Sequence, residues 1–322
     1  MSSKLGGGLR SGRAVVLVAG AALALTLAAC GNGGSDNAAS STTPAASGDT
    51  VCAGVDTSGT DELAAVCSAG KIQVSTDPAY PPQSSLDPKT NTYVGFDIDV
   101  ANEIAKRLGV KTAWQTPSWD VITAGNWNGR WDMSVGSMTV TADRAKVLNF
   151  TPAYYYTPAS VAVNSSDTTT NEASQLDGKK IGVGIGTTYQ DYLKGDLNIP
   201  GYTFTYAISS PQIVTYNTDS TAIQDLAVGN GRLDAVMSAT PTLEQAVKKG
   251  VPIRLVGEPL FYEPLAVAFD KSAPKDSTSL TDAVSQIITD MHADGTLSEL
   301  SMKWYGQDLT KTAADTASPS SS

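Results

Sequence analysis

The segments YTPASVA (residues 156–162) and YEPLAVA (residues 262–268) share the pattern Y-x-P-x-x-V-A and begin 106 residues apart. Proline fixes φ and discourages helix, so each segment is predicted to be an extended crossing that continues as a β-strand. A match this short can also arise by chance. As functional elements, the two segments would be parallel connections, one leaving a first domain and one returning to it. Two such crossings form a hinge and place a ligand cleft between two lobes.

Alternating strand and helix patterns surround these crossings. Residues 97–108, for example, carry an apolar stripe at helical spacing, and Gly109 ends that helix. Strands are predicted at residues 71–76, 111–115, 133–138, 181–185, 233–238 and 253–256. Helices are predicted at residues 97–108, 119–126, 188–193, 221–228, 242–249, 281–292 and 297–305. This order predicts an α/β protein with largely parallel sheets.

The composition excludes several classes of protein. A chain of 322 residues with 41% hydrophobic and 17% charged residues is typical of one large globular domain or two ordinary ones. The formal net charge is −10, and such a surface repels nucleic-acid phosphates. With one histidine and three cysteines, the chain cannot build a His-rich metal site or a cysteine-ligated cluster. We therefore expect no metal, no cofactor and no nucleic-acid partner.

The first thirty residues have the pattern of an export signal. A basic segment precedes an apolar run at residues 14–29, whose 16 residues fall short of the roughly 20 that a transmembrane helix needs. A short membrane anchor and an ordinary cleaved signal are the alternatives. The sequence LAAC at residues 27–30 resembles the lipobox of bacterial lipoproteins, in which residues 1–29 are removed as a signal peptide and Cys30 receives a diacylglyceryl group. Two acyl chains supply a stable anchor.

Low-complexity segments flank the body of the chain. Residues 30–50 would be the lipidated cysteine and a flexible tether, and residues 310–322 a disordered tail, because both lack large apolar side chains. Cys52 and Cys67 enclose 14 residues, and on an exported protein they most simply form a disulfide, worth about 3 kcal/mol by loop entropy. Two buried free thiols are the alternative.

Eight groups of short motifs carry a specific resemblance. They are TDPAYPP (76–82), YVGFDID (93–99), SWD (118–120), GSMTVTADR (136–144), FTPAY (150–154), IGVGIGTT (181–188), GRLDA (231–235), and DGTL with KWY (294–297 and 303–305). Over residues 70–307 they resemble the extracytoplasmic solute-binding proteins of the polar-amino-acid ABC importer family. The resemblance implies a two-lobed, type II periplasmic-binding fold, with two parallel-rich sheets, flanking helices and a two-strand hinge. Lobe 1 would comprise residues 51–157 and 267–309, and lobe 2 residues 160–262.

Arg144 is the residue that the resemblance implies for a ligand carboxylate. A guanidinium offers a planar pair of donors that matches a carboxylate, although an isolated arginine is by default a surface residue paired with an acid. The same motif implies that Thr139 reaches this carboxylate through its N–H and hydroxyl. It also implies that Ser137 and Gly136 line the α-carbon end of the ligand.

Residues 186–188 end a predicted strand and begin a helix. Free N–H groups at such a position favour an anion, and N-capping by Thr187 or Thr188 is the alternative. The resemblance places Thr188 on the second lobe opposite Arg144. A carboxylate bound between the two would contact both lobes and favour closure.

Tyr80 and Trp119 match an aromatic pair that holds the ligand side chain in the family. Asp77 matches a nearby acid that serves cationic ligands. Core packing is the alternative for both rings.

The sequence departs from the family at Ala239, where amino-acid binders carry the aspartate that pairs with the ligand ammonium. Either the ammonium is held elsewhere, by Asp77, carbonyl oxygens or the Trp119 face, or the ligand lacks a free α-ammonium. The hydroxyls of Ser238 and Thr240 would suit a neutral group. Gln83 stands where the family commonly has Phe and would change the pocket wall.

Three classes of function are compatible with these features. The resemblance favours a monomeric binding lipoprotein, held at the outer face of the bacterial cytoplasmic membrane, that captures a small carboxylate-bearing solute and delivers it to an ABC permease and its ATPase. A cleft enzyme resembling cyclohexadienyl dehydratase is the second class, and paired carboxylates would be its route to catalysis because Asp and Glu are plentiful. The sequence offers no Ser/His or Cys/His pair, so no enzyme is expected. A sensory binding domain is the third.

Overall fold

The computed structural model describes residues 50–311. Its helices are α1 (Glu62–Ala69), α2 (Phe96–Leu108), α3 (Trp119–Thr123), α4 (Arg144–Val147), α5 (Thr188–Lys194), α6 (Asp219–Val228), α7 (Thr240–Lys248), α8 (Thr278–Ala293) and α9 (Thr296–Tyr305), with 3-10 helices at Val51–Gly54 and Ala173–Leu176. Its strands are β1 (Lys71–Ser75), β2 (Ala79–Tyr80), β3 (Ser84–Asp87), β4 (Thr92–Val94), β5 (Lys111–Gln115), β6 (Met133–Thr139), β7 (Leu148–Asn164), β8 (Lys180–Gly184), β9 (Gln212–Tyr216), β10 (Ala235–Ala239) and β11 (Ile253–Asp270).

Eight of these strands form one sheet in the order β5-β1-β6-β11-β7-β10-β8-β9. Strand β1 pairs parallel with β5 and β6, and β8 pairs parallel with β9 and β10. Strands β7 and β11 lie between these groups and run antiparallel to their neighbours. The two predicted sheets are therefore two parallel groups within one continuous sheet. The long strands β7 and β11, of 17 and 18 residues, pair with each other, and they join the first group through β6 and the second through β10. The predicted α/β class is confirmed.

The two repeated sequence segments form the middle of β7 and β11. They lie side by side and run in opposite chain directions, with Pro158 opposite Tyr262 and Tyr156 opposite Pro264. Strand β11 continues to Asp270 rather than ending at the predicted residue 256. Its pairing with β7 shifts register just before the repeat, between Val256 and Phe261, and again within it, between Leu265 and Ala268, and such irregularities bend a sheet locally. The crossings are thus placed where a hinge would be.

Buried apolar side chains cluster separately on the two sides of these crossings. The largest cluster draws on residues 63–155 and 265–297 and packs α2 and α8 against the sheet. Two further clusters, from residues 159–261 and 162–253, cover opposite faces of the other half of the sheet. We therefore propose that residues 51–157 and 267–309 form lobe 1 and residues 160–262 form lobe 2, with the crossings between them as the hinge.

Some elements escaped the sequence analysis. Helix α1 and strand β9 were not predicted, and neither was the small sheet β2-β3-β4; of β7 only the part from residue 156 onward was predicted. Strands of two to four residues are too short to show a period of two, and β7 contains two prolines. The predicted disulfide between Cys52 and Cys67 is confirmed, and it links the 3-10 helix Val51–Gly54 to α1.

The predicted terminal segments fall mainly outside the described residues. This applies to the signal peptide, to Cys30 with the tether up to residue 49, and to residues 312–322 of the predicted tail. Thr310 and Lys311 are described, and both contact the carboxylate of Asp308. Within residues 50–311, no helix combines the length and apolar character needed to cross a membrane. The same residues bring together no group of three or more His, Cys, Asp or Glu side chains suited to a metal ion.

Candidate functional site

A cleft lies between the two lobes, with about 470 Å³ of space including the part open to solvent. Most of its residues follow, or lie near, the carboxyl ends of the parallel strands β1, β6, β8 and β9, which is where α/β sheets commonly bind ligands. The lining residues are Asp77, Tyr80, Trp119, Gly136, Ser137, Thr139, Arg144, Gly184, Ile185, Thr187, Thr188, Tyr189, Asn217, Thr218, Asp219 and Glu263.

Arg144 begins α4 and is buried at the cleft, with 7% of its surface exposed. Its Nη1 donates to the Thr139 carbonyl at 3.0 Å, and its Nη2 donates to the Gly186 carbonyl at 2.9 Å. The guanidinium lies over the Trp119 ring, 5.4 Å from its centroid. Burial lowers the pKa of Arg144, but a guanidinium stays charged in proteins. Among the described residues it forms no ion pair, so its charge is available to an anion.

Gly186 brings the two lobes into direct contact. Its carbonyl accepts from Arg144 and also from Trp119 Nε1, at 3.2 Å, so two lobe 1 side chains reach one lobe 2 main-chain group. Its φ of +71° is in the left-handed region, which glycine adopts without strain. The next residue, Thr187, caps α5 by accepting from the Gln190 N–H at 3.3 Å. The capping alternative therefore holds for Thr187.

Thr139 and Thr188 face the same carboxylate, but it belongs to the protein. Both hydroxyls donate to Oε1 of Glu263, from Thr139 at 3.0 Å, and the Tyr189 hydroxyl donates to Oε2 at 3.1 Å. Glu263 lies in β11 and is 1% exposed. Burial raises the pKa of Glu263, while the hydroxyls and the charge of Arg144 oppose that rise. From the family resemblance, these two hydroxyls were predicted to contact a ligand carboxylate.

Asp219 places a second buried acid in the cleft, at the first residue of α6. Its Oδ1 accepts from the Gly184 N–H at 2.9 Å, and its Oδ2 accepts from the Ser238 hydroxyl at 2.6 Å. Burial raises the pKa of Asp219 to about 7, and the charges of Asp77 and Glu263 add to the effect. Ser238 directly precedes position 239, where the family's ammonium-binding acid was expected. A carboxylate therefore lies beside that position although residue 239 supplies none.

Asp77 and Tyr80 lie after β1, on the lobe 1 side of the cleft. Asp77 accepts from the Ala79 N–H at 2.8 Å, and burial raises the pKa of Asp77. The Tyr80 hydroxyl lies 2.9 Å from the Tyr189 hydroxyl. Tyr80 thus extends the hydrogen-bond chain that reaches Glu263.

Ser137 is held in an unusual conformation by a buried network beneath the cleft. Its φ is +56°, which a residue other than glycine adopts only with support from its surroundings. The support comes from Asp97 Oδ2, which accepts from the Ser137 hydroxyl at 2.7 Å, and from Tyr154, whose hydroxyl accepts from the Ser137 N–H at 3.0 Å. Tyr154 in turn donates to Asp97 Oδ1 at 2.7 Å. Burial raises the pKa of Asp97 to about 7.

Eight of the nine predicted ligand-binding residues line the cleft. The ninth, Ala239, is fully buried in a lobe 2 core cluster. Gln83 also lies outside the lining and accepts from the Thr242 hydroxyl at 3.2 Å, so the expectation that it changes the pocket wall is wrong. The hydroxyls considered for a neutral ligand group, of Ser238 and Thr240, are directed to Asp219 and to Ser160.

Two buried acids of the cleft, Glu263 and Asp219, were not predicted from the sequence. Glu263 was within the quoted repeat, at the position where the first copy has Thr157, and the two residues are paired in the ladder. A charged residue inside an otherwise apolar crossing is a signal that could have identified it. Asp219 looked like an ordinary acidic residue at a helix start, and only the fold brings it beside Ser238.

Comparison with known proteins supports the same fold. Residues 72–307 match the family model described as bacterial extracellular solute-binding proteins, family 3. The L-cystine-binding protein TcyJ of Escherichia coli (strain K12) is 31% identical over 244 residues, which cover 75% of this chain and 85% of that protein.

Two solved structures are similar to this one. An ancestral arginine-binding protein bound to arginine has a TM-score of 0.64 and 28% identity, with coverage of 74% of this chain and 99% of that one. The ancestral amino acid-binding protein AncCDT-1, a precursor of cyclohexadienyl dehydratase, has a TM-score of 0.64 and 28% identity, with coverage of 76% and 99%. The chain belongs to the bacterial extracellular solute-binding proteins of family 3.

Proposed function

We propose that the protein captures an α-amino acid in the cleft and delivers it to an ABC importer. The observation that supports this most directly is the placement of charge. Arg144 on lobe 1 and Asp219 on lobe 2 line one cleft, both are buried, and neither forms an ion pair with another described residue. Buried charges are normally paired, so the cleft is complementary to a ligand that carries both signs.

In this proposal the ligand carboxylate lies against Arg144 and the ligand ammonium against Asp219. The guanidinium forms charge-assisted hydrogen bonds to the carboxylate, and Asp219 accepts from the ammonium in place of the acid that Ala239 does not provide. Because the two side chains belong to opposite lobes, one zwitterion contacts both. Such a ligand binds the closed form better than an open one and shifts the population towards it. The closed receptor then docks, as a monomer, on a permease whose ATPase is a separate subunit.

A panel of matched compounds tests this function. Thermal unfolding is measured with each amino acid and with analogues that lack either the α-ammonium or the α-carboxylate. We expect the Tm to rise only with compounds that carry both groups, since a ligand at 1,000 times its Kd stabilises the folded state by roughly 4 kcal/mol. Mass spectrometry should recover the ligand unchanged, as for a binding protein. An equal rise in Tm with plain carboxylic acids, or a chemically altered ligand, would contradict the proposal.

We further propose that Cys30 carries the lipid that holds the protein at the outer face of the membrane. The order of basic segment, apolar run and LAAC supports this. Cells producing the wild type should yield a membrane-bound protein that starts at Cys30 and carries a diacylglyceryl mass. Cys30→Ala should lose the added mass and the processing. A wild-type protein found unmodified, with residues 1–29 still attached, would exclude the lipid anchor.

A further inference from the structure

The hinge crossing carries one charged residue, and that residue faces the ligand cleft. Between residues 259 and 269 of β11, Glu263 is the only Asp, Glu, Lys or Arg, and the paired residue of β7 is Thr157. A carboxylate in an apolar strand with 1% exposure loses most of its hydration, which is costly unless other groups replace it. Glu263 is therefore a candidate for a role in binding.

The neighbours of Glu263 orient its carboxyl group by hydrogen bonds, and Arg144 attracts it without forming an ion pair with it. Three hydroxyls donate to it, from Thr139 on lobe 1 and from Thr188 and Tyr189 on lobe 2. No Lys or Arg among residues 50–311 forms an ion pair with it, and both guanidinium hydrogen bonds of Arg144 go to main-chain carbonyls. The hydroxyls that the sequence analysis assigned to a ligand carboxylate thus hold an anion of the protein. A second anion at this point would be repelled.

The charged residues that line the cleft indicate which class of ligand it binds. Asp77, Asp219 and Glu263 are acidic, and Arg144 is the one basic residue in the lining. An α-amino acid with a neutral side chain brings one carboxylate for Arg144 and one ammonium for Asp219. Two acids, Asp77 and Glu263, then remain without a cation of their own, because Arg144, which attracts Glu263, is engaged by the ligand carboxylate. A ligand with a second cationic group would compensate one of them.

We propose that Glu263 binds a second cationic group of the ligand and thereby selects amino acids with an ammonium or guanidinium on the side chain. This inference rests on the proposed amino-acid function and names the substrate class of the same cleft. The hydroxyls of Thr139, Thr188 and Tyr189 hold the carboxylate at the hinge. The cation therefore meets it where both lobes converge.

Lysine and norleucine provide the test, because they have side chains of similar length and only lysine carries the second ammonium. Calorimetric titration of the wild type is expected to show lysine binding at least tenfold more tightly than norleucine. Glu263→Gln keeps the size of the side chain and an oxygen for the two threonine hydroxyls. It should weaken lysine about tenfold or more and change norleucine by no more than about threefold. Glu258→Gln, on the same strand but exposed and outside the cleft, should change neither.

The other possible results distinguish this role of Glu263 from its alternatives. If Glu263→Gln weakens lysine and norleucine equally, Glu263 only holds the lobes in place, and the inference is wrong. If the lysine preference survives Glu263→Gln but is lost in Asp77→Asn, the second cation lies on Asp77, and the inference is also wrong. Norleucine binding as tightly as lysine would overturn the inference and leave the amino-acid function standing. If the wild type binds no amino acid in the panel, both proposals fail.

Discussion

Replacing Arg144 by alanine is expected to abolish amino-acid binding while leaving the protein folded. Truncating one partner of a buried, hydrogen-bonded charge pair costs about 2–5 kcal/mol in affinity, which corresponds to a loss of about 30-fold to more than 1,000-fold. The stability of the unliganded protein should not fall by a comparable amount. Its buried guanidinium forms no ion pair with another described residue, so the desolvation cost that its removal relieves offsets the loss of two hydrogen bonds and of the attraction to Glu263.

The measurement is the Tm of Arg144→Ala with and without the ligand identified for the wild type. We expect the Tm without ligand to stay close to the wild-type value and the ligand-induced rise to disappear. Arg144→Lys keeps the charge but not the planar pair of donors, so it should recover only part of the affinity. Arg232→Ala removes an exposed lobe 2 arginine outside the cleft and is the matched control. Affinity retained within a few-fold in Arg144→Ala would remove Arg144 from the site.

Replacing Asp219 by asparagine should weaken amino-acid binding by about tenfold to 100-fold and remove its dependence on pH. Asparagine preserves the shape of the side chain and can still accept from the Gly184 N–H. It lacks the negative charge, and a hydrogen bond to a charged group is worth about 1.5–3 kcal/mol. The loss should spare analogues without an α-ammonium, because they do not use this carboxylate.

The sign of the pH dependence follows from the pKa of Asp219, which burial raises to about 7, with contributions from Asp77 and Glu263. Below that pH the carboxyl group is mostly protonated and neutral, and it attracts an ammonium only weakly. Between pH 6 and 7.5 the wild-type affinity should rise several-fold as the group ionises. Calorimetry across this range should show a much flatter profile for Asp219→Asn. Asp225→Asn, on the same helix but outside the cleft, should keep the wild-type slope. An affinity that falls as the pH rises would contradict the role given to Asp219.

Elements with strong local signals could be predicted from the sequence. Helix α2 was placed within one residue, because an apolar stripe at helical spacing ends at Gly109, and β5 was placed at its observed bounds. The cleft residues with a characteristic local motif, such as Arg144 in GSMTVTADR, were also found. Most of the elements that were missed lack such signals. Strands β2 to β4 are very short, and β9 was overlooked, although it is an ordinary five-residue strand.

The sequence alone was enough to predict the α/β class, the two crossings, the Cys52–Cys67 disulfide and most of one wall of the cleft. Each of these features depends on neighbouring residues in the chain or on a local motif. The electrostatic character of the cleft depends on contacts between residues far apart. Glu263 meets Thr139 across 124 positions and Thr188 across 75, and Asp219 reaches Ser238 across 19. A charged side chain becomes buried at such a contact only when the chain folds and brings the distant residues together. The folded chain alone therefore decides that two acids lie in the cleft beside the predicted arginine.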